Sequence, residues 1–125
     1  LTMFNNGADV ICQFAGNSGS GVIDAAKEAG FYVISAESDD REIAPDVVIG
    51  GMIKRVGVSI LETIQHIQNG SYQNGVILTR GIAQHGVGLS HDDDLTRIVG
   101  EEVMNKLREI EQGIAQKTIP VPARN

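Results

Sequence analysis

A strand, loop and helix pattern at residues 7–30 constrains the fold of this 125-residue chain more than any other feature. The segment reads GADVICQFAGNSGSGVIDAAKEAG, in which an apolar run at 8–14 leads into a loop of small and polar residues. A helix follows, and Gly30 is a typical signal for its end. The apolar positions of this helix share one face: Val22, Ala25, Ala26 and Ala29. A strand joined to a helix in this way predicts an α/β fold.

The alternation of strands and helices continues along the chain. The apolar runs 31–36 and 47–53 predict two further strands, separated by a polar loop at 37–46 that contains Pro45. Residues 54–69 repeat apolar side chains at helical spacing and predict an amphipathic helix that ends at Asn69-Gly70.

The last part of the chain completes the same pattern. Residues 75–90 are interpreted as a strand and a segment broken by glycines, and a helix with apolar residues at i, i+3 and i+4 follows. Its apolar positions are Val103, Met104, Leu107, Ile110 and Ile114. The order β-α-β-loop-β-α-β-α predicts a parallel sheet with helices on both faces.

Composition excludes several classes of partner and site. The net charge is −6 and no run rich in lysine or arginine occurs, so we expect neither nucleic acid nor an anionic membrane as the main partner. The only cysteine, Cys12, excludes an internal disulfide and a cysteine-cluster metal site, and its apolar surroundings predict a buried thiol. The run HDDD at 91–94 is interpreted as a polar helix N-terminus rather than a metal site.

The loop FAGNSGSG at 14–21 is the first candidate binding group. It follows a predicted strand, and ligands of open α/β sheets bind at the carboxyl ends of strands. Its glycines permit close backbone approach, Asn17 and Ser18 add side-chain hydrogen bonds, and amides at the start of the next helix can donate to a polar ligand. The alternative is an ordinary turn with Ser18 or Ser20 as the N-cap. The spacing matches neither nucleotide-binding glycine motif.

Two charged groups follow the next two predicted strands. ESDD at 37–40 offers carboxylates, which can accept two hydrogen bonds from the neighbouring hydroxyls of a sugar, and Lys54 can donate to a ligand hydroxyl. The alternatives are a solvated acidic loop and a surface lysine at the start of a helix. The sequence contains no Ser-His-Asp or Cys-His arrangement that would support hydrolysis.

Taken in order, these segments resemble the basic membrane protein (BMP) family. The resemblance rests on GADVICQFAGNSGSGVIDAAKEAG, on VISAESDD followed by VVIGGMIKRVGVSILETIQ, and on GVGLS with a closing IPVP. Members of this family are substrate-binding lipoproteins of ABC transporters and are related to a purine nucleoside receptor. The resemblance covers nearly all of the chain.

The resemblance implies a type I periplasmic-binding-protein fold, in which two Rossmann-like α/β lobes close on a ligand. This chain then corresponds to the C-terminal portion. Residues 1–53 would form part of the second lobe, and 54–125 the return through the hinge, a helix on the first lobe and the C-terminal segments. The implied partners are a nucleoside, an ABC permease and an N-terminal lobe of the same protein. The implied location is the outer face of the cell membrane, by a lipid anchor, or the periplasm, with no cofactor and no catalysis.

The resemblance also assigns binding residues. The loop positions that would face the base and ribose are Phe14, Ala15, Gly16, Asn17 and Ser18. Glu37 and Asp39 match the two acids of a family motif in which a carboxylate holds ribose hydroxyls, and Lys54 matches a lysine that shares in this contact.

The chain departs from the family pattern at three positions. Glu37 replaces Asp, Asn17 replaces Gly, and Gly57 replaces Asp. The leading hypothesis is therefore a nucleoside-binding component of an importer. The alternatives are a regulatory protein that kept the fold with weak or no nucleoside binding, and a doubly wound enzyme that holds a phosphate on the 16–21 loop.

Overall fold

The computed structural model describes residues 1–90 and 93–122. The helices and strands of this part are α1 (Thr2–Asn5), β1 (Val10–Cys12), α2 (Gly19–Ala29), β2 (Tyr32–Glu37), β3 (Val48–Lys54), α3 (Val56–Gln68), β4 (Val87–Leu89), α4 (Asp93–Val99) and α5 (Glu101–Ala115). Short 3₁₀ helices occur at Gly16–Ser18, Asp40–Glu42 and Ile82–Gln84.

The sheet confirms the predicted α/β class. Its strand order is β1-β2-β3-β4, and both the β1–β2 and β2–β3 pairs are parallel. The two strands β1 and β2 are joined by α2, as a parallel pair requires a crossover between its strands. The strands predicted at 8–14, 31–36 and 47–53 and the helices predicted over 20–30 and 54–69 and at the C-terminal end are therefore confirmed.

Helix α2 forms where its apolar side chains repeat. Ile23 and Ala26 are buried against Phe31, Val33 and other core residues of the sheet and its loops. The helix ends at Gly30, which has a left-handed φ of 79° and donates its N–H to the Ala26 carbonyl at 2.8 Å. A left-handed C-cap of this kind favours glycine, which is why the glycine signal in the sequence predicted the end correctly.

The chain divides into two compact units. The first contains 1–53 and 89–104, and the second contains 54–88 and 105–125. Every apolar residue that is buried in the described structure belongs to the first unit. Many apolar side chains of the second unit are exposed, and Ile60, Leu61 and Ile64 of α3 are 46–56% accessible.

The prediction of a buried thiol at Cys12 is wrong for this chain. Cys12 is exposed, and Val10, two residues earlier on the same strand, is also exposed. Side chains alternate between the two faces of a strand, so Ile11 packs toward the core while its neighbours point the other way. β1 also lies at the end of the described strand order, where it has a strand on one side only.

The strand predicted at the start of 75–90 does not form. Residues 76–80 have no regular secondary structure, and β4 at Val87–Leu89 is the strand of this region. Val76, Ile77 and Leu78 are exposed, Ile77 to 93%. An apolar run becomes a strand only beside a strand edge that accepts its hydrogen bonds, and within 1–90 and 93–122 no strand pairs with these residues.

The described residues also bear on metal binding and on membrane spanning. The interpretation of 91–94 rests partly on His91 and Asp92, which lie outside the described residues, and α4 begins at Asp93. In the part of the chain that is described, no group of His, Cys, Asp and Glu side chains is arranged to hold a metal ion. No helix of that part is both long and apolar enough to cross a membrane.

Candidate functional site

The first unit brings two of the predicted groups together at one edge of its sheet. β1 and β2 are in register from Val10–Tyr32 to Cys12–Ile34, so their carboxyl ends lie side by side. The loops that follow them enclose a hollow of about 390 Å³, within the range of small-molecule sites. Its polar lining includes Gly16, Asn17, Ser20, Glu37, Ser38 and Asp40.

The loop after β1 turns tightly into α2. Gly16 has a left-handed φ of 54° and begins a single 3₁₀ turn. Ser18 stands at the N-cap of α2 but its side chain makes no capping hydrogen bond, and Ser20 Oγ donates to the Asn17 carbonyl at 3.2 Å. The side-chain cap at Ser18 that an ordinary turn would provide is therefore absent. Gly16, Asn17, Gly19 and Ser20 instead line the hollow.

The Gln13 side chain is hydrogen-bonded to the backbone of this loop. Its side chain is buried, with 7% of the residue exposed, and its Oε1 accepts a hydrogen bond from the Ala15 N–H at 3.1 Å. A Cβ on Gly19 would come within 2.4 Å of the same Oε1. Gln13 also lines the hollow.

The residues after β2 form the opposite wall. Glu37 ends the strand with φ 73°, a left-handed conformation that is uncommon outside glycine. Ser38 Oγ then donates to Asp40 Oδ1 at 2.9 Å. On the neighbouring strand, Gly51 leaves room for this turn, because a Cβ there would lie 2.9 Å from the Ser38 carbonyl oxygen. The second glycine of the Gly-Gly pair inside β3 thus has a packing reason beside the site.

Asp39 has a different environment from Glu37. Its Oδ1 accepts hydrogen bonds from Arg41 Nε at 2.7 Å and from Arg41 N at 3.3 Å, and its Oδ2 accepts one from Arg41 Nη2. The hydrogen-bonded Arg41 side chain lowers the pKa of the Asp39 carboxyl, against a smaller opposing effect of burial. Both residues line a separate hollow together with Val48 and Leu95, away from the one that Glu37 lines.

The other predicted binding residues, among them Phe14, Ala15, Ser18 and Lys54, do not line the hollow. Phe14 projects from the loop and is 72% exposed, and Ala15 and Ser18 are exposed beside it. Lys54 is the last residue of β3 and the first residue of the second unit. The next residue, Arg55, is held by that unit, since its N–H donates to the Gly86 carbonyl at 2.8 Å.

Sequence reasoning missed two polar lining residues, Gln13 and Asp24. Ser38 and Asp40, which also border the hollow, belong to the predicted group 37–40, but only Glu37 and Asp39 of that group were assigned to the ligand. One signal was available for Gln13, a long polar residue inside the apolar run VICQF. Asp24 lies off the apolar face of α2, and helical spacing alone does not tell a ligand-facing position from a solvent-facing one.

The fold defines the class of protein. This chain is similar to the structure of an ABC transporter system solute-binding protein from Aeropyrum pernix K1, with a TM-score of 0.80 and 19% sequence identity. The match covers 99% of this chain and 43% of the Aeropyrum protein chain. This similarity identifies the fold as that of an ABC solute-binding protein. The family model described as ABC transporter substrate-binding protein PnrA-like, named Bmp, matches residues 1–125, and the chain belongs to this family.

Curated relatives agree with the family. The chain is 34% identical over 123 residues to basic membrane protein D of Borreliella burgdorferi (strain JD1), covering 96% of this chain and 36% of that protein. It is 36% identical over 124 residues to basic membrane protein B of Borreliella afzelii (strain PKo), and this match covers 96% of this chain and 34% of that protein. The chain therefore spans about a third of the length of these relatives.

Proposed function

We propose that the complete protein is the solute-binding component of an ABC importer, that its ligand is a nucleoside, with a purine as the leading base, and that it delivers this ligand to a permease. One observation carries the proposal. In a member of a substrate-binding family, the Gly16–Asn17 loop and Glu37 line one hollow at the carboxyl ends of adjacent parallel strands. Ligands of open α/β sheets bind at that position.

The chemistry of the lining suits a nucleoside. The Glu37 carboxylate offers two acceptor oxygens to a sugar diol, and the small residues from Ala15 to Ser18 allow a ring to approach the backbone. Phe14, an exposed residue of the loop that supplies part of the lining, offers an aromatic face on which a base can stack. Stacking of this kind contributes about 1–3 kcal/mol per base in nucleic-acid-binding proteins.

Lys54 and Asp39 enter the proposal in different ways. We assign Lys54 a hydrogen bond to a ligand hydroxyl, which its position at the end of β3 supports. Asp39 was predicted as a second ribose ligand, but its oxygens already accept three hydrogen bonds from Arg41. A contact between Asp39 and ribose would require that pairing to be shared or broken when the ligand binds.

We also propose that the remainder of the protein completes the second unit. The apolar side chains of α3 and the run 76–78 are exposed in the described chain, and none of the buried apolar residues belongs to this unit. Burial of such side chains is the main favourable term in folding. An N-terminal lobe of the same protein, corresponding to the other two thirds of the relatives' length, would cover them.

The proposed mechanism requires no bond to be made or broken. A ligand that contacts both lobes binds the closed arrangement more tightly than the open one, and the difference in affinity shifts the population toward the closed form. We place the protein at the outer face of the cell membrane or in the periplasm, where it would present the closed form to the permease.

Calorimetric titration of the full-length protein tests this proposal. The panel contains purine nucleosides, pyrimidine nucleosides and free ribose, with circular dichroism to show that the protein is folded. Micromolar or tighter binding of a nucleoside, with weaker or no binding of ribose, is the expected result. A folded protein that binds no member of the panel would refute the nucleoside assignment and favour the alternative, a regulatory protein of this fold.

A further inference from the structure

We propose that Gln13 is a positioning residue that holds the 14–18 loop in the conformation that receives the ligand. The inference rests on the proposed function only where it concerns ligand affinity. Gln13 is not among the residues that the family resemblance assigns to the ligand. Its role follows from its burial, its hydrogen bond and its packing against Gly19.

The first step is the burial of Gln13. It is one of three polar or charged residues buried in the described structure, with 7% of its surface exposed. Burying an amide group costs free energy unless its polar atoms are bonded. Its backbone N–H donates to the Ile34 carbonyl at 3.1 Å, which anchors the residue to β2 beyond the end of β1.

The second step is the orientation of the carboxamide. The Ala15 N–H can only donate, so the atom that faces it at 3.1 Å must be the carboxamide oxygen. This bond joins the Gln13 side chain to the backbone two residues later, where β1 ends and the loop begins. The loop backbone is therefore held by a side chain that is itself fixed in the core.

The third step is the contact with Gly19, the first residue of α2. A Cβ at Gly19 would lie 2.4 Å from Gln13 Oε1, 2.6 Å from Cδ and 2.7 Å from Nε2. The carboxamide thus occupies the space that any other residue at 19 would need. Gln13 touches both ends of the loop, through Ala15 at the start and Gly19 at the end.

A consequence for binding follows from population arithmetic. If the loop reaches the receptive conformation only part of the time, the apparent affinity equals the intrinsic affinity multiplied by the fraction of time spent in that conformation. Loss of one internal hydrogen bond permits other loop conformations, and we expect an affinity loss of about 5- to 10-fold.

The experiment uses the full-length protein and inosine as the probe, with Gln13→Met and Gln13→Glu as variants. Met has a similar length but removes the acceptor, whereas Glu keeps an oxygen for the Ala15 amide. Gln84→Met is the matched control, because Gln84 Oε1 also accepts a backbone N–H, that of Gly81 at 3.0 Å. Inosine affinity is measured by calorimetry, and protection of the Ala15 amide by hydrogen exchange in NMR.

We expect affinity to follow Ala15 protection. Gln13→Met should lose both inosine affinity and Ala15 protection, and Gln84→Met should change neither. Gln13→Glu should retain Ala15 protection, whereas its affinity is not compared because the added charge lies beside other acids of the hollow. In Gln13→Met, affinity kept without protection, or lost while the Ala15 amide stays protected, would overturn the proposal. If Gln13→Met does not fold, Gly19→Ala, which displaces the same carboxamide, takes its place with the same two measurements.

Failure of the proposed function is separable from failure of this inference. If the folded wild type binds no nucleoside, hydrogen exchange alone decides. Ala15 protection that is lost in Gln13→Met and kept in Gln13→Glu would support the positioning role in the absence of a nucleoside. Equal Ala15 exchange in wild type and Gln13→Met would overturn it.

Discussion

Alanine substitutions at two glycines of α2 should change stability in opposite directions. Gly19 is the first residue of the helix, with φ −60°, and Gly21 lies two residues further along. No atom lies within 4 Å of a Cβ built at Gly21, whereas a Cβ at Gly19 meets the Gln13 carboxamide at 2.4–2.7 Å. We expect Gly19→Ala to destabilise the protein and Gly21→Ala to stabilise it.

The magnitudes can be worked out from the contacts. Replacing glycine by alanine in a helix contributes about 0.5–1 kcal/mol, which Gly21→Ala should retain in large part. At Gly19 the added methyl group displaces the end of the flexible Gln13 side chain, and the main cost is the lost Ala15 hydrogen bond of the buried carboxamide, about 1–3 kcal/mol. After the helix gain is subtracted, Gly19→Ala should be destabilised by about 0.5–2 kcal/mol.

Urea denaturation of the full-length protein measures this difference. The free energy of unfolding of the lobe that contains α2 is compared for wild type and both variants. The dependence of this free energy on urea concentration is also compared, because a changed slope would indicate a change in the unfolded or native state. Gly21→Ala is the control for the effect of alanine on the helix. If Gly19→Ala were as stable as Gly21→Ala, the Gln13 side chain would not lie against Gly19, and the account of the loop would be refuted.

Three further predictions concern charge and burial. Lys54→Ala should weaken nucleoside binding in calorimetry by about tenfold or more, the effect of losing one charged hydrogen bond, and unchanged affinity would remove Lys54 from the site. Arg41 lowers the folded-state pKa of Asp39 below 3.8, so the stability that this pair contributes is complete above that pH and is lost as the pH falls through the lowered pKa. Acid titration of the free energy of unfolding should therefore show a smaller loss below pH 3.8 in Asp39→Asn than in wild type, and equal losses would contradict the pairing. Ile64→Ser should cost about 2 kcal/mol in urea denaturation if an N-terminal lobe covers α3, whereas a cost under about 0.5 kcal/mol would mean that this side chain stays exposed.

The sequence by itself predicted most of the elements and the sheet edge at which the candidate site lies. Apolar side chains at spacings of two and of three to four identify strands and helices, because these spacings put the side chains on one face of each element. The alternation of elements then implied a parallel sheet. Since the carboxyl ends of parallel neighbours meet at one edge, the residues Gly16, Asn17 and Glu37 could be assigned to a common site before any coordinates.

Tertiary structure alone decided which side chains meet. Asp39 and Glu37 are both acids after β2, yet Asp39 turns to Arg41 while Glu37 lines the hollow, a difference that depends on the backbone conformation of the turn. The exposure of Cys12 and the partners of Gln13 likewise depend on which neighbours are present in space. A local pattern specifies the face on which a residue lies, but the surroundings of that face are made by segments distant in the chain.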